Sequence, residues 1–217
     1  MRTGALSNTA IAAAALIGLA SPAVAQDGSD WFVHIGPAQL TLADGADVRA
    51  GGAPLAGAGI DTDPQYTGVV EIGRFVAPNV AVALTLGGPP LAKIDGTGTL
   101  EGLGRLGNVR YGPGALTVQF HPMRSGRVQP YVGAGVTYMH IFSTKDAALS
   151  DIEVNDDIGP LIQGGVQYFF SEKTGIFVDV KKGWLRTEAT ASLGTVPIDA
   201  DLKLDPLVVN AGLAFRF

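Results

Sequence analysis

From Leu207 to the last residue, an apolar side chain stands at every second position: Leu207, Val209, Ala211, Leu213, Phe215 and Phe217. Successive side chains of a β-strand point to opposite faces, so strict alternation marks a strand with one apolar face. The period recurs upstream. Val80, Val82, Leu84 and Leu86 alternate with Ala81, Ala83, Thr85 and Gly87. Leu116, Val118 and Phe120 alternate with small or polar residues, as do Val132, Ala134, Val136 and Tyr138, then Ile162, Val166, Tyr168 and Phe170, then Ile176, Val178 and Val180. Val70 and Ile72 share a face with Arg74, and Trp31, Val33 and Ile35 form a shorter set that Pro37 interrupts. Proline in a strand belongs at an edge or a bulge, so the first strand is expected to be irregular.

About eight such strands need a medium for their apolar faces. Hydrophobic residues make up 47% of the chain and charged residues only 16%, against a usual charged share of about 25%. No segment after residue 25 offers the roughly 20 apolar residues of a membrane helix. Residues 1–25 read as a secretory signal peptide: Arg2, an apolar run from Ala10 to Ala20, and the cleavage site Ala23-Val24-Ala25 before Gln26. Its removal takes away one Arg and no acid, so the net charge goes from −5 to −6, which argues against a nucleic-acid partner. With no cysteine, an exported chain has neither disulfides nor thiolate metal sites. The expected fold is all-β: an eight-stranded antiparallel transmembrane β-barrel over residues 26–217, in a bacterial outer membrane.

The connections support that layout. Ala77–Asn79, Pro122–Gly126 and Ser171–Thr174 are short, whereas Leu42–Pro64, Gly88–Asn108, Ser143–Asp157 and roughly Thr187–Ala200 are long. Short turns on one side and long loops on the other are the pattern of such barrels, and place both termini in the periplasm. The inward parity then holds Glu71, Thr85, Gln119, Thr137, Gln163, Gln167, Asp179, Asn210 and Arg216. Aromatics near strand ends would form interfacial girdles, with Trp31, Phe120, Tyr168, Phe170, Phe215 and Phe217 on the periplasmic side and Tyr138 and Trp184 on the outer one. An unpaired strand edge cannot sit in lipid, so the last strand is expected to pair with the first.

Gln129–Val136 (QPYVGAGV), Ala148–Phe170 (ALSDIEVNDDIGPLIQGGVQYFF) and Leu204-Asp205-Pro206 before the closing strand resemble the outer membrane protein W (OmpW) family, over nearly all of the chain after residue 25. Gly112-Pro113-Gly114 departs from the Pro-Pro pair usual in the family. The resemblance implies a narrow barrel with a largely apolar lumen and passage of small hydrophobic molecules across the outer membrane. Some relatives resemble alkane importers in which the solute leaves sideways into the bilayer. A terminal aromatic also resembles the signal read by the barrel-assembly machinery, which assigns Phe215 and Phe217 to that role.

Other patterns carry less. Gly102-x-Gly104-x-x-Gly107 has dinucleotide-loop spacing but no βαβ context and reads as a flexible external loop. His34, His121 and His140 lack metal-ligand spacing. His140 near Ser143 is the only base–nucleophile pair, on the outward parity, and no catalysis is expected. Asp151, Glu153, Asp156 and Asp157 depart from a calcium loop and read as solvated, with divalent bridging to lipopolysaccharide phosphates as the alternative. No cofactor or metal is expected.

Charges inside so narrow a barrel must pair or meet water. Glu71, Asp179, Lys181 and Arg216 are therefore expected to form an internal plug. Thr85, Thr137 and Met139, with Leu91 and Leu103 at the mouth, are the expected path for solute. The leading function is a passive outer-membrane channel for small hydrophobic molecules, with lateral exit into the bilayer. A plugged structural barrel without transport is the alternative, and a soluble lipocalin-type barrel is disfavoured by the girdles and the uncharged second face. Expected partners are outer-membrane lipid, lipopolysaccharide, apolar solutes and the assembly machinery.

Overall fold

The computed structural model describes residues 30–43 and 45–217; the signal peptide read over residues 1–25 lies outside the described residues. The strands in chain order are β1 (Trp31–Thr41), β2 (Gly45–Ala50), β3 (Ala53–Pro54), β4 (Ala58–Thr62), β5 (Gln65–Ala77), β6 (Val80–Gly87), β7 (Leu91–Gly98), β8 (Arg105–Phe120), β9 (Val128–Asp146), β10 (Ser150–Val154), β11 (Asp157–Phe169), β12 (Thr174–Gly183), β13 (Arg186–Leu193), β14 (Val196–Lys203) and β15 (Leu207–Arg216). A 3-10 turn, Glu101–Leu103, separates β7 from β8.

Eight strands close into an antiparallel barrel in the order β1, β5, β6, β8, β9, β11, β12, β15 and back to β1. Each barrel strand therefore pairs with the barrel strands before and after it in sequence. The closing pair runs from Phe32 opposite Arg216 to Thr41 opposite Leu207. Beyond it, the Phe217 N–H donates to the Trp31 carbonyl at 2.9 Å. Pairing to the last residue leaves no open edge in the wall.

Pro37 does not make β1 an edge. It lies inside an eleven-residue strand, with β5 on one side and β15 on the other. Pairing with β15 is lost at Gly36 and Pro37 only, and resumes in the same register. The local device is close backbone approach: a Cβ on Gly36 would lie 2.1 Å from the Ala211 carbonyl oxygen.

The long connections are not structureless. The β2, β3, β10, β13 and β14 segments form a five-stranded sheet at one end of the barrel. The β4 and β7 strands extend the barrel sheet beyond β6 along the first part of β8. Gly102, Gly104 and Gly107 thus occupy a tight turn and a strand rather than a flexible loop. The barrel has a turn end, carrying the three short connections, and a hairpin end, built from these added strands.

The wall is greasy outside. Ile72, Leu84, Val118, Val132, Ile162, Val178 and Leu213 are all exposed, as are the girdle residues Trp31, Phe120, Tyr138, Tyr168, Phe170, Trp184 and Phe217. So large a continuous apolar belt is not stable in water. The interior divides into two. Toward the hairpin end Leu40, Leu42, Val69, Leu106, Tyr111, Met139, Leu185, Leu202 and Leu204 form an apolar cluster. Toward the turn end the buried side chains are mostly polar or aromatic.

Candidate functional site

The lumen is closed by a polar network to which every barrel strand contributes. Lys181 (β12) places Nζ 3.0 Å from Glu71 Oε2 (β5) and 2.5 Å from Asp179 Oδ1 (β12). His34 (β1) approaches Glu71 Oε1 through Nδ1 at 3.0 Å. The Thr85 hydroxyl (β6) donates to Glu71 Oε2 at 2.8 Å. Gln119 Nε2 (β8) reaches Glu71 Oε1 at 3.2 Å, and Gln163 Nε2 (β11) reaches Glu71 Oε2 at 3.0 Å and Asp179 Oδ2 at 2.8 Å. The Tyr131 hydroxyl (β9) donates to Asp179 Oδ2 at 2.8 Å. Asn210 (β15), with its amide nitrogen turned inward, donates to Asp179 Oδ1 at 3.0 Å. Two buried carboxylates, one ammonium and their donors thus pair with one another, the condition for burying charge at all, while the far ring nitrogen of His34, Nε2, has no partner.

Register explains the convergence. His34, Glu71 and Thr85 are directly opposed on three adjacent strands, and Asp179 opposes Asn210. Glycine supplies the room. Gly133 stands between Gln119 and Gln163 in the cross-strand row, and a Cβ there would be 3.2 Å from Gln119 Cγ. Gly165 lies under the Tyr131 ring, where a Cβ would be 2.5 Å from the hydroxyl oxygen. Rings complete the closure: His34 stacks on Phe177 at 4.3 Å, and His121 stacks on Tyr131 at 5.0 Å.

Three of the four plug residues read from sequence therefore meet. Arg216 does not. It sits at the turn end with its guanidinium 4.2 Å over the Phe169 ring, donating to the Glu172 carbonyl. The alternation is right, but β15 carries Arg216 past the network and into a vestibule of about 830 Å³. That vestibule is also lined by Asp30, Phe75, Arg124 and Lys173.

On the other side of the network lies a cavity of about 50 Å³ lined by Thr85, Thr137 and Met139, the expected path residues, with Leu40, Tyr111 and Leu161. Lys181 and Asn210 also line it, at the network. Tyr111 and Met139 separate it from a second apolar cavity of about 40 Å³ nearer the hairpin end. Leu103 packs against the apolar cluster at that end. Leu91 does not line the path: it lies on β7, not in a loop, and the alternation turns Ala92 inward and Leu91 out.

The wall has a seam at this level. The β6–β8 ladder ends at Leu86 opposite Gly114, and β7–β8 pairing begins at Leu91 opposite Arg110. Between them lie Gly87-Gly88-Pro89-Pro90 on one side and Tyr111-Gly112-Pro113 on the other. Three prolines lack the N–H a ladder requires. Across the gap the Tyr111 N–H donates to the Pro90 carbonyl at 3.3 Å. The Pro113 ring fills the space a Gly87 Cβ would take, 2.7 Å from it. Gly87, Pro113, Gly114 and the outward girdle residue Tyr138 all line the 50 Å³ cavity, so the cavity reaches the seam.

His140 is paired with Asp156, not Ser143: Nδ1 lies 2.6 Å from Asp156 Oδ2, which also accepts the Tyr138 hydroxyl. Asp157 accepts the Arg186 N–H, so the acidic stretch is divided between two structural roles. Among the described residues no three His, Cys, Asp or Glu side chains converge as a metal site. Sequence reasoning missed His34 and Tyr131; the inward parity of each was the signal available.

An eight-stranded barrel with an exposed apolar belt, aromatic girdles and an occluded lumen is a membrane-spanning β-barrel protein of the kind found in bacterial outer membranes. The chain belongs to the OmpW family, whose sequence profile matches residues 27–217. It is 31% identical over 189 residues to outer membrane protein AlkL of Ectopseudomonas oleovorans, covering 87% of this chain and 82% of that one. It is 30% identical to the dibenzothiophene metabolism operon protein PahQ of Pseudomonas aeruginosa, covering 92% and 93%. Among solved structures, AlkL in lipid bilayers superposes with a TM-score of 0.69 at 29% identity, covering 92% and 95%. OprG of Pseudomonas aeruginosa shares the fold, with a TM-score of 0.79 at 24% identity over 88% and 96%.

Proposed function

We propose that this outer-membrane protein is a passive channel, not an enzyme, through which small hydrophobic molecules enter at the hairpin end and leave sideways into the bilayer. The observation that carries the reading is the position of the network. An apolar interior runs from the hairpin end to Lys181 and Asn210, where residues from all eight strands bar the way. An apolar solute gains nothing by crossing buried charges. The neighbouring exit is the β6–β8 seam, where proline ring packing replaces much of the hydrogen-bonded ladder. Backbone left unpaired at membrane depth is tolerated where it lines a cavity. The cavity is only about 50 Å³, so Met139 and Pro113 must shift for a solute to pass.

In this reading the turn end and both termini are periplasmic, the hairpins project through lipopolysaccharide, and Phe215 and Phe217 carry the signal for the assembly machinery. The PahQ relative takes its name from the metabolism of dibenzothiophene, an apolar aromatic. The same network also favours a second reading, a plugged structural barrel without flux.

Uptake of a medium-chain alkane, beside a small sugar, in cells with and without the protein separates the two. The channel reading expects faster alkane uptake and unchanged sugar uptake. Equal alkane uptake in both strains leaves the structural barrel.

A further inference from the structure

Lys93, Arg110 and Lys145 project from the outer face of β7, β8 and β9, and none forms an ion pair or hydrogen bond among the described residues. Asn108 pairs with Lys93 on one side and Lys145 on the other, so these three residues form one cross-strand row. Arg110 lies one outward position nearer the bilayer, flanked by Leu91 and Ser143. The nearby acids are engaged: Asp95 by Arg105 at 2.5 Å, with Lys93 a weaker charge beside it, and Asp146 by the N–H groups of Asp151 and Ile152. Arg105 also donates to Asn108 Oδ1 at 3.4 Å, which leaves the Asn108 amide nitrogen for a ligand. The patch is a local excess of positive charge on a chain whose net charge is −5.

Its height is set by the strand. Ten residues separate Arg110 from Phe120, a girdle residue of the turn end. At about 3.4 Å per residue and a tilt of about 40°, that is about 26 Å along the barrel axis. The apolar band of such barrels is about 25 Å tall. Arg110 therefore stands at the band's upper edge, above the exposed Tyr138, and the Lys93–Asn108–Lys145 row lies about 5 Å farther out. Cations held in no salt bridge directly above an apolar belt fit one occupant: a phosphorylated glycolipid whose acyl chains cover the belt and whose headgroup phosphates meet the cations.

We infer that Lys93, Arg110 and Lys145, with Asn108, form a binding site for the phosphates of an outer-leaflet glycolipid of the lipid A type. The site places anchored lipid beside the seam between β6 and β8, on the same face of the barrel. The assignment to the outer leaflet rests on the orientation proposed above.

The test uses the full barrel purified in neutral detergent and titrated with bisphosphorylated lipid A, with dephosphorylated lipid A and with inorganic phosphate, binding being read by native mass spectrometry. Lipid A is expected to bind tightest, and more weakly as salt screens the charges. Each neutralised cation is expected to cost about fivefold, so K93Q/R110Q/K145Q loses about a hundredfold. R49Q/K203Q, which removes cations facing Asp201 and Asp47, is expected to bind as the parent does. These exposed substitutions leave the core untouched; if the triple variant does not fold, the three single variants carry the same comparison. Unchanged binding by the variants, equal binding of dephosphorylated lipid, or equally tight binding of inorganic phosphate overturns the site. Orientation is read separately, by labelling Gly102→Cys on intact cells with an impermeant maleimide. The chain has no other cysteine and a Cβ at Gly102 meets nothing within 4 Å. Loss of labelling alone reverses the leaflet without touching the phosphate site.

Discussion

Lys181 and Glu71 come within 3.0 Å of each other across the barrel lumen, both almost completely buried. The ammonium also neutralises Asp179, so removing it strands two buried carboxylates. Lys181→Met is expected to destabilise the barrel by about 3–5 kcal/mol. The measurement is the temperature at which the folded barrel loses its fast migration in gels. The triple replacement E71Q/D179N/K181M removes all three charges and is expected to recover most of that loss. Recovery distinguishes unpaired charge from lost packing. If Lys181→Met melts with the parent, the network does not brace the barrel.

The seam makes a different demand. Pro113→Ala restores an N–H opposite Gly87 and removes the ring that packs there. A further ladder bond then becomes available where the Pro113 ring now packs against Gly87. Alkane uptake is expected to fall toward that of cells lacking the protein, with thermal stability unchanged or raised. Undiminished uptake in a folded P113A barrel moves the exit away from this seam.

Much of the wall was legible in the sequence because lipid imposes a binary rule on it. Val82, Leu84 and Leu86 face out, and Ala81, Ala83 and Thr85 face in, as alternation alone requires. The hairpin end obeys no such rule. Its strands see water on one side and a small apolar core on the other, so stretches without long alternation such as Gly45–Ala50 and Arg186–Leu193 read as loops although they form a sheet. Leu91 was misplaced for that reason. Parity also gives a residue's face but not its height. Arg216 shares the inward face with Glu71 yet ends in the vestibule, and His34 joins Glu71 through the β1–β5 register, which alternation alone does not give.

Gly165 offers a test of that register by volume. An alanine there places its Cβ 2.5 Å from the Tyr131 hydroxyl oxygen. The ring must move, and its 2.8 Å bond to Asp179 is lost. Overpacking of this kind costs about 1–3 kcal/mol, read as a lowered melting temperature. Tyr131→Phe in the Gly165→Ala background is expected to cost little more, because the bond is already broken. Additive losses contradict the coupling.

Outside the membrane, the Asp95–Arg105 pair ties β7 to the start of β8 and responds to pH. The hydrogen bond from Arg105, with its charge, holds the Asp95 carboxyl below its ordinary value. A depressed carboxylate stabilises the folded state at pH values above the ordinary aspartate pKa of about 3.9. That contribution is lost as pH falls through the lower folded value. Amide exchange in β7, corrected for the intrinsic pH dependence, is therefore expected to be flat from neutral pH to about 4 and to accelerate below it. Asp95→Asn removes the acid step and leaves β7 less protected at neutral pH, while amides of the membrane strands are unchanged. An acid step that survives in Asp95→Asn assigns the response to another group.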